Sequence, residues 1–388
     1  MTAPESAVLA AHLEHPDALP RQRQFPVQGW VASRVPVRAV FVEGPTPAPL
    51  ALRHRSDVLK ALPEVPHATG YFGVAERAHV ADGKLTLRFV FDEGSAVVAY
   101  ERVAESEDVL RTRAARLERV YAVLRCIRCA SRFPEGGYVS GAERIQCATC
   151  GATYDCSQGL FDLLPDESRS PLGLDNDGNI SQNEYDPAAL AFIGEDPSAL
   201  ILDCGAGLRR VERPNVVNFE AVAYRSTDVL GDNERLPFAD AAFDGVLSLA
   251  VLEHVRDPLV AASEICRVLK PGGKLLAVVP LLAPVHAYPH HYFNMTAEGL
   301  ARLFADRLDI VEQSVPDSGL PVWALTWILR SWYEGLPDAT RASFANLRVA
   351  DLLGEGHEYL DRDFVRRLPR EKNFELAATT MLVGKKRG

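Results

Sequence analysis

No apolar run in the 388-residue chain is long enough to cross a bilayer; the longest lies near Leu275 to Ala287, short of the ~20 residues a membrane helix needs. The N-terminal residues also lack a charged stretch followed by a hydrophobic one, the mark of a secretory leader. Basic charge is in deficit, with 42 Lys and Arg against 52 Asp and Glu and a formal net charge of −10. That balance disfavours wholesale nucleic-acid binding, although a whole-chain average can hide a basic patch. These absences lead us to expect a soluble, cytoplasmic protein with no membrane partner. The 47% hydrophobic content supports sizeable cores, and the length calls for two or three domains.

An apolar strand, Ile201-Leu202-Asp203-Cys204, runs into the closely spaced Gly205 and Gly207. Glycines there let the backbone pass beside a ligand without a Cβ in the way. About 20 residues beyond such a turn, an acid at the end of the second strand can accept both ribose hydroxyls. Glu220 closes Val216-Val217-Asn218-Phe219-Glu220 and fits that spacing. The spacing Leu259, Ala262, Cys266, Leu269 places one apolar helical face after an Asp257 N-cap and Pro258, and Pro271-Gly272-Gly273 ends that helix. Lys274 to Leu282 reads as a buried strand. Apolar runs alternating with amphipathic helices imply an α/β fold with a parallel sheet and ligands at its carboxyl edge.

Further along stand Asp232-Asn233-Glu234-Arg235-Leu236-Pro237-Phe238, Phe243-Asp244, Val251-Leu252-Glu253-His254-Val255 and Arg267-Val268-Leu269-Lys270-Pro271-Gly272-Gly273. This ordered series, over roughly residues 197–310, resembles the small-molecule class I S-adenosylmethionine-dependent methyltransferases, a Rossmann-like fold. The resemblance points to S-adenosylmethionine rather than NAD. It implies that Asp203, Gly205 and Gly207 line the methionine part, that Glu220 holds the ribose, and that Asp232 receives the adenine amino group with Asn233 beside it. One departure is Arg209, at the third glycine position of the family; a bulky cation there could still sit outside the turn, so the departure weakens the cofactor reading without removing it.

Cys126-x2-Cys129 and Cys147-x2-Cys150, separated by 17 residues, have the spacing of two metal knuckles closed into one tetrahedral thiolate site. Such a closed site leaves no open coordination position, so a Zn²⁺ ion there serves folding. Cys156 is the odd cysteine and reads as structural, as do Cys204 and Cys266. The ribbon, with Gly159-Leu160-Phe161-Asp162-Leu163-Leu164-Pro165 after it, resembles the zinc ribbons that precede some class I methyltransferases, some of which act on ribosomal RNA. Arginines between Arg111 and Arg128 would suit phosphate, but an Arg-rich helix is more commonly a solvated face.

Residues 26–103 show short alternating runs separated by turns such as Asp82-Gly83, the pattern of a small β-sandwich. Pieces around Trp30, Arg55-Ser56-Asp57-Val58 and Tyr71-Phe72 resemble a module attached to glycosyltransferases and methyltransferases. Trp30, Tyr71 and Phe72 could stack on a sugar, though core packing is the stronger reading. The expected organisation is a β-sandwich over 22–105, a linker helix over 106–124, a four-cysteine zinc ribbon over 125–166, and a methyltransferase domain over 185–388. A helical insertion at about 317–372, between strands expected at 308–314 and 375–383, carries Trp323, Trp327, Trp332 and Tyr333 near one face; a substrate lid and core packing against the main domain are equal readings of it.

Methyl transfer from a sulfonium is an in-line displacement, so positioning comes first and a hydroxyl acceptor also needs a base. His286, His290 and His291 follow the strand ending near Pro280, and His290 or His286 is the expected base. A divalent metal ranks second, because no carboxylate neighbours the cluster in sequence. His254 is expected to pack near the cofactor. The favoured reading is a methyltransferase for a small acceptor such as a sugar, glycan precursor or natural-product intermediate. An RNA methyltransferase and a scaffold with a degenerate cofactor site are the alternatives.

Overall fold

The structure is a computed structural model that describes residues 7–16, 24–101, 107–169, 181, 184–286 and 290–386. It divides into two compact units, Met1–Val251 with Asp257–Val278, and Leu252–Arg256 with Val279–Gly388.

The first unit begins with an antiparallel sheet: β1 (Val8–His15), β2 (Gln24–Ser33), β3 (Ala39–Val42), β4 (Ala48–His54), β5 (His67–Glu76), β6 (Val80–Ala81), β7 (Lys84–Val90) and β8 (Ser95–Glu101), with a short helix α1 (Ser56–Ala61) after β4. The strands form one hydrogen-bonded path, β1-β2-β5-β4-β3-β7-β6, with β8 also on β7. Period-two alternation drives it: Leu85, Leu87 and Phe89 of β7 are buried while Thr86 and Arg88 between them are partly exposed. The Asp82-Gly83 turn has φ of 51° and 73°, the left-handed pair that suits a tight hairpin. Tyr71 is fully buried, with its hydroxyl donating to the His12 carbonyl at 2.9 Å, so it is a core residue and offers no sugar platform. β1 lies outside the expected 22–105 span, because its pairing with β2 depends on residues that the alternation after 26 does not reveal.

Helix α2 (Glu107–Val123) follows. Of its four arginines only Arg111, paired with Asp108, stands on a solvated face; the other three turn to the protein. Arg113 and Arg116 are buried and ion-paired, Arg113 with Glu212, and Arg116 with both Glu212 and Asp228. Arg119 donates to the carbonyls of Pro197, Ser198 and Ala199. The linker helix itself was expected at 106–124, but the acids that neutralise its buried arginines lie about a hundred residues away.

The cysteine module contains the hairpin β9 (Arg144–Gln146) and β10 (Thr153–Asp155). Its tail supplies β11 (Phe161–Asp162), which enters a six-stranded sheet with β12 (Ile201–Cys204), β13 (Val216–Glu220), β14 (Val229–Leu230), β15 (Phe243–Leu249) and β16 (Leu269–Val278). The order is β11-β14-β13-β12-β15-β16, every pair parallel. Both faces of the central strands are covered, so Ile201, Leu202, Val216, Val217 and Phe219 are all buried, as near-continuous apolar runs predict for parallel sheets. Chain order reverses direction beside β12, making its carboxyl end a topological switch point. The four-residue α3 (Asp166–Arg169) and α4 (Pro187–Ile193) precede β12.

Helix α5 (Pro258–Val268) starts where expected, the Asp257 side chain accepting from the Leu259 and Val260 amides. Its buried residues are Ala261, Ala262, Ile265 and Val268, while Leu259 is 59% exposed and Cys266 half-buried. The helix is therefore rotated from the expected face, because the small Ala261 and Ala262 allow closer approach than Leu259 would.

In the second unit, the α-helices among the described residues are α6 (Ala297–Phe304), α7 (Pro321–Gly335), α8 (Asp338–Ala345), α9 (Asp363–Arg366) and α10 (Arg370–Leu376). The strands expected at 308–314 and 375–383 are absent among the described residues. Val311 is 96% exposed and Met381 90% exposed, and Glu375 belongs to α10. Alternation alone does not make a strand without a partner ladder. The four rings of α7 do not share one face: at 100° per residue Trp332 lies opposite Trp323. Trp332 donates to the Phe364 carbonyl and stacks on Phe344, whereas Trp323 is 59% exposed.

Candidate functional site

At the carboxyl end of β12 the chain turns through Gly205 and Gly207 with φ of 66° and 65°. A Cβ on Gly207 would stand 2.7 Å from the Ser181 carbonyl oxygen, and one on Gly205 2.6 Å from the Val251 side chain. Both positions thus require glycine for backbone sign and for space. Asp203 is completely buried. Its Oδ2 accepts from the Tyr185 hydroxyl at 2.6 Å and from the Arg209 guanidinium at 3.1 and 2.7 Å, while Oδ1 has no hydrogen-bond partner among the described residues. Burial pushes the Asp203 carboxyl up, against the pull of Arg209.

Arg209 does not sit outside the turn. It is 3% exposed, and its guanidinium lies 4.0 Å over the Tyr185 ring. A cation at this position is drawn inward because Asp203 beneath the turn needs a counter-charge.

Glu220 ends β13, one residue past the pairing of Phe219 with Cys204. Burial pushes its carboxyl up to about 8, so it is mostly protonated near neutrality. Gly231 donates its amide to the Glu220 carbonyl, tying β13 to the next loop. There Asp232 is half-buried, its Oδ2 taking the Ser168 hydroxyl at 2.8 Å and its Oδ1 the Glu234 amide at 2.9 Å. Asn233 beside it is also half-buried. The structure thus brings Asp203, Gly205, Gly207 and Glu220 to the carboxyl ends of adjacent strands, with Asp232 and Asn233 on the loop after β14. The resident cofactor that such a turn implies fits these residues on one observation above all: a buried carboxylate oxygen, Asp203 Oδ1, left open for a cationic donor.

In the cysteine module, Cys126 and Cys150 sulfurs are 3.6 Å apart, as are those of Cys129 and Cys147. Four thiolates about 2.3 Å from one tetrahedral ion would be separated by about 3.8 Å, so the donor set fits Zn²⁺. Each knuckle closes in the same way. Ala130 and Gly151, with φ of 60° and 71°, follow the second cysteine, and their amides donate to the carbonyls of Cys126 and Cys147. Cys156 lies apart, buried, its thiol donating to the Ala142 carbonyl.

The second unit holds the histidines. His254 and His286 rings are 5.2 Å apart, and His291 is 4.3 Å from His286. His290 stands out of this cluster: its ring is exposed and faces Tyr292 at 5.4 Å, while its carbonyl accepts from His254 Nδ1. A carboxylate does neighbour the cluster. Glu253 is 0% exposed, and its Oε1 lies 3.8 Å from His254 Nε2 and 4.0 Å from His286 Nε2. Reading the 286–291 segment alone missed it, because the acid lies over thirty residues upstream; the signal was the Glu253-His254 pair in the motif already quoted.

Residues 196–277 match the family described as "Methyltransferase domain". Among similar curated proteins, a demethylmenaquinone methyltransferase of Renibacterium salmoninarum is 37% identical over 130 residues, 32% of this chain and 52% of that one. A malonyl-[acyl-carrier protein] O-methyltransferase of Herminiimonas arsenicoxydans is 44% identical over 80 residues, 21% and 28% of the two chains. The solved [4+2]-cyclase SpnF is 25% identical, covering 29% of this chain and 53% of its own, with a TM-score of 0.22. The chain spans between 28% and 59% of the length of the curated relatives it matches. None of the helices among the described residues is long and apolar enough to cross a membrane. The family match and these curated relatives therefore make residues 196–277 similar to a methyltransferase domain, over the stretch that holds the glycine turn and the parallel strands β12, β13, β14 and β15.

Proposed function

We propose that the chain transfers a methyl group from S-adenosylmethionine to an oxygen of a small acceptor, a sugar, glycan precursor or natural-product intermediate. The observation that carries the cofactor reading is the open Oδ1 of buried Asp203, with Glu220, a half-buried acid at the end of β13, beside the Asp203–Gly207 turn. Asp203 Oδ1 would take the ammonium of the methionine part, Gly205 and Gly207 would leave room for its backbone, Glu220 would accept the ribose hydroxyls, and Asp232 with Asn233 would meet the adenine. When bound, the cofactor supplies an electrophilic sulfonium methyl. A Zn²⁺ ion held by Cys126, Cys129, Cys147 and Cys150 would support folding only, since its four thiolates leave no open position.

The names of the similar methyltransferases, one acting on a demethylmenaquinone and one O-methylating a malonyl group on a carrier protein, favour a small or carrier-borne acceptor. The arginines of α2 count against RNA, because Arg113, Arg116 and Arg119 already spend their donors on Glu212, Asp228 and backbone carbonyls. His290 is the proposed base. It follows β16 closely in the chain and its ring is exposed, whereas His286 is turned toward Glu253. One observation favours the scaffold alternative: Arg209 already occupies one oxygen of Asp203.

Calorimetric titration with S-adenosylmethionine separates the two. Two hydrogen bonds to a charged acceptor, each worth roughly 1.5–3 kcal/mol, make a loss of about 100-fold or more the expected cost of Glu220→Ala. Absence of binding by the folded wild type would establish the scaffold reading. With an accepted substrate, His290→Ala should lower turnover by about 10²–10⁴-fold while cofactor affinity stays within a factor of three; unchanged turnover would remove His290 from the mechanism.

A further inference from the structure

The carboxylate of Glu253 is fully buried, and neither oxygen has a hydrogen-bond partner among the described residues. A carboxylate in that position costs several kcal/mol unless a cation compensates it. No lysine or arginine is paired with it among the described residues. Instead two imidazoles present Nε2 at 3.8 Å (His254) and 4.0 Å (His286), too far for hydrogen bonds.

The tautomers are set by the backbone. His254 Nδ1 donates to the His290 carbonyl at 2.5 Å, and His286 Nδ1 donates to the Pro284 carbonyl at 2.8 Å. A carbonyl oxygen only accepts, so each Nδ1 carries a proton; in the neutral ring, the form that ligates metals, each Nε2 then keeps its lone pair, directed toward Glu253. Imidazoles that ligate metals are oriented in this way, by a donor bond from the ring nitrogen that does not bind the ion. The main chain of Glu253 is pinned by the Tyr292 and Phe293 amides, which donate to its carbonyl at 2.7 and 3.3 Å.

We propose that Glu253, His254 and His286 form a binding site for a divalent first-row transition metal, with at least one coordination position open to an exchangeable oxygen ligand. The three donor atoms all lie within 4.8 Å of one another. An ion about 2.0–2.2 Å from each would draw them to roughly 3–4 Å apart, a shift of under about 1 Å per group. His291 is not a fourth ligand: its Nδ1 accepts from the His286 amide at 3.3 Å and its Nε2 donates to Asn294 Oδ1 at 2.8 Å. It buttresses the His286 ring, with Trp327 5.1 Å from that ring as well. Three protein ligands and an open position distinguish this site from the closed cysteine site. Two imidazoles and a carboxylate, with no thiolate, suit Zn²⁺, Co²⁺, Fe²⁺ or Mn²⁺. The proposal stands on the second unit alone and is independent of the cofactor reading.

The test uses the full chain with its cysteine site loaded with zinc, titrated with Co²⁺ by visible absorption and metal analysis. Expected are one equivalent of Co²⁺ beyond the zinc and d–d bands without sulfur-to-cobalt charge transfer. Glu253→Gln and His286→Ala should each weaken binding at least tenfold, and the exposed His357→Ala of the same unit should leave it unchanged. Uptake only with thiolate charge transfer, no uptake, or wild-type affinity in the His286→Ala protein would each overturn the proposal. Should Glu253→Gln fail to fold, the partly exposed His254→Ala and His286→Ala decide it. Because the readout is bound metal, failure here leaves the methyltransferase reading standing, and failure of that reading leaves this one.

Discussion

Replacing Arg116 by Ala should destabilise the first unit by about 3–5 kcal/mol, the cost of leaving a buried charge without its partner. Arg116 is 1% exposed and Asp228 0%. The guanidinium meets both Asp228 oxygens at 2.9 Å and Glu212 at 2.5 Å. After the substitution Glu212 keeps Arg113 and Arg225. Among the described residues the Asp228 side chain keeps only Asn218, through its amide at 2.9 Å and its side chain at 3.5 Å, and sits fully buried just before β14. The control is Arg111→Ala: its pair with Asp108 is 79% and 76% exposed, so the expected loss is below about 0.5 kcal/mol. Urea unfolding followed by far-UV circular dichroism measures the difference, and amide exchange at 216–220 and 227–230 locates it. The double replacement Arg116→Met with Asp228→Leu should recover much of the loss, because a buried ion pair exchanged for packed apolar groups is often neutral. A loss below 1 kcal/mol in Arg116→Ala would refute the reasoning and return the helix arginines to the pool available for phosphate.

The raised carboxyl of Glu220 has a consequence for binding. Ribose hydroxyls need an ionised acceptor, and the free protein holds Glu220 protonated below about 8. Affinity for S-adenosylmethionine should therefore climb roughly tenfold per pH unit from 6 toward 8 and flatten above. Binding at pH 7 should release a proton, measured by calorimetry in buffers of different ionisation enthalpy, and Glu220→Gln should abolish the slope; a wild-type profile flat from 6 to 8 would contradict the assignment. Gly207→Ala forces a Cβ to within 2.7 Å of the Ser181 carbonyl at a φ of 65°. A backbone penalty of about 1 kcal/mol plus the displaced segment should lower the melting temperature and weaken the cofactor at least tenfold, and an Ala variant matching wild type in both would show that the turn is free to move. Removing zinc with a strong chelator, or Cys147→Ser, should unfold the 125–160 region in proteolysis and circular dichroism; full protease resistance of metal-free protein would mean that the cysteines hold no structural ion.

Much of the cofactor-type site was legible because its parts are local. Strand, glycine turn and acid follow one another within Ile201 to Glu220, so spacing alone predicts that they meet at neighbouring strand ends. The cysteine knuckles are equally local, each a Cys-x-x-Cys followed by a residue of positive φ. What escaped the sequence involves partners separated by long stretches. Arg209 could not be seen to turn inward without Tyr185 and Asp203 closing around it. Arg113 and Arg116 looked like surface charges until Glu212 and Asp228 lay against them. Leu259 fitted a helical face that packing passed over for Ala261 and Ala262.

The sequence by itself determined the order of elements and the identity of the groups that can bind, because hydrophobic period, capping residues and ligand spacings act over a few residues. Only the tertiary structure decided which charges are neutralised, which face of α5 is buried, and that Glu253 stands among the histidines. Those outcomes depend on desolvation and on distances between residues remote in the chain, where an unpartnered buried charge costs more than any local propensity can offset.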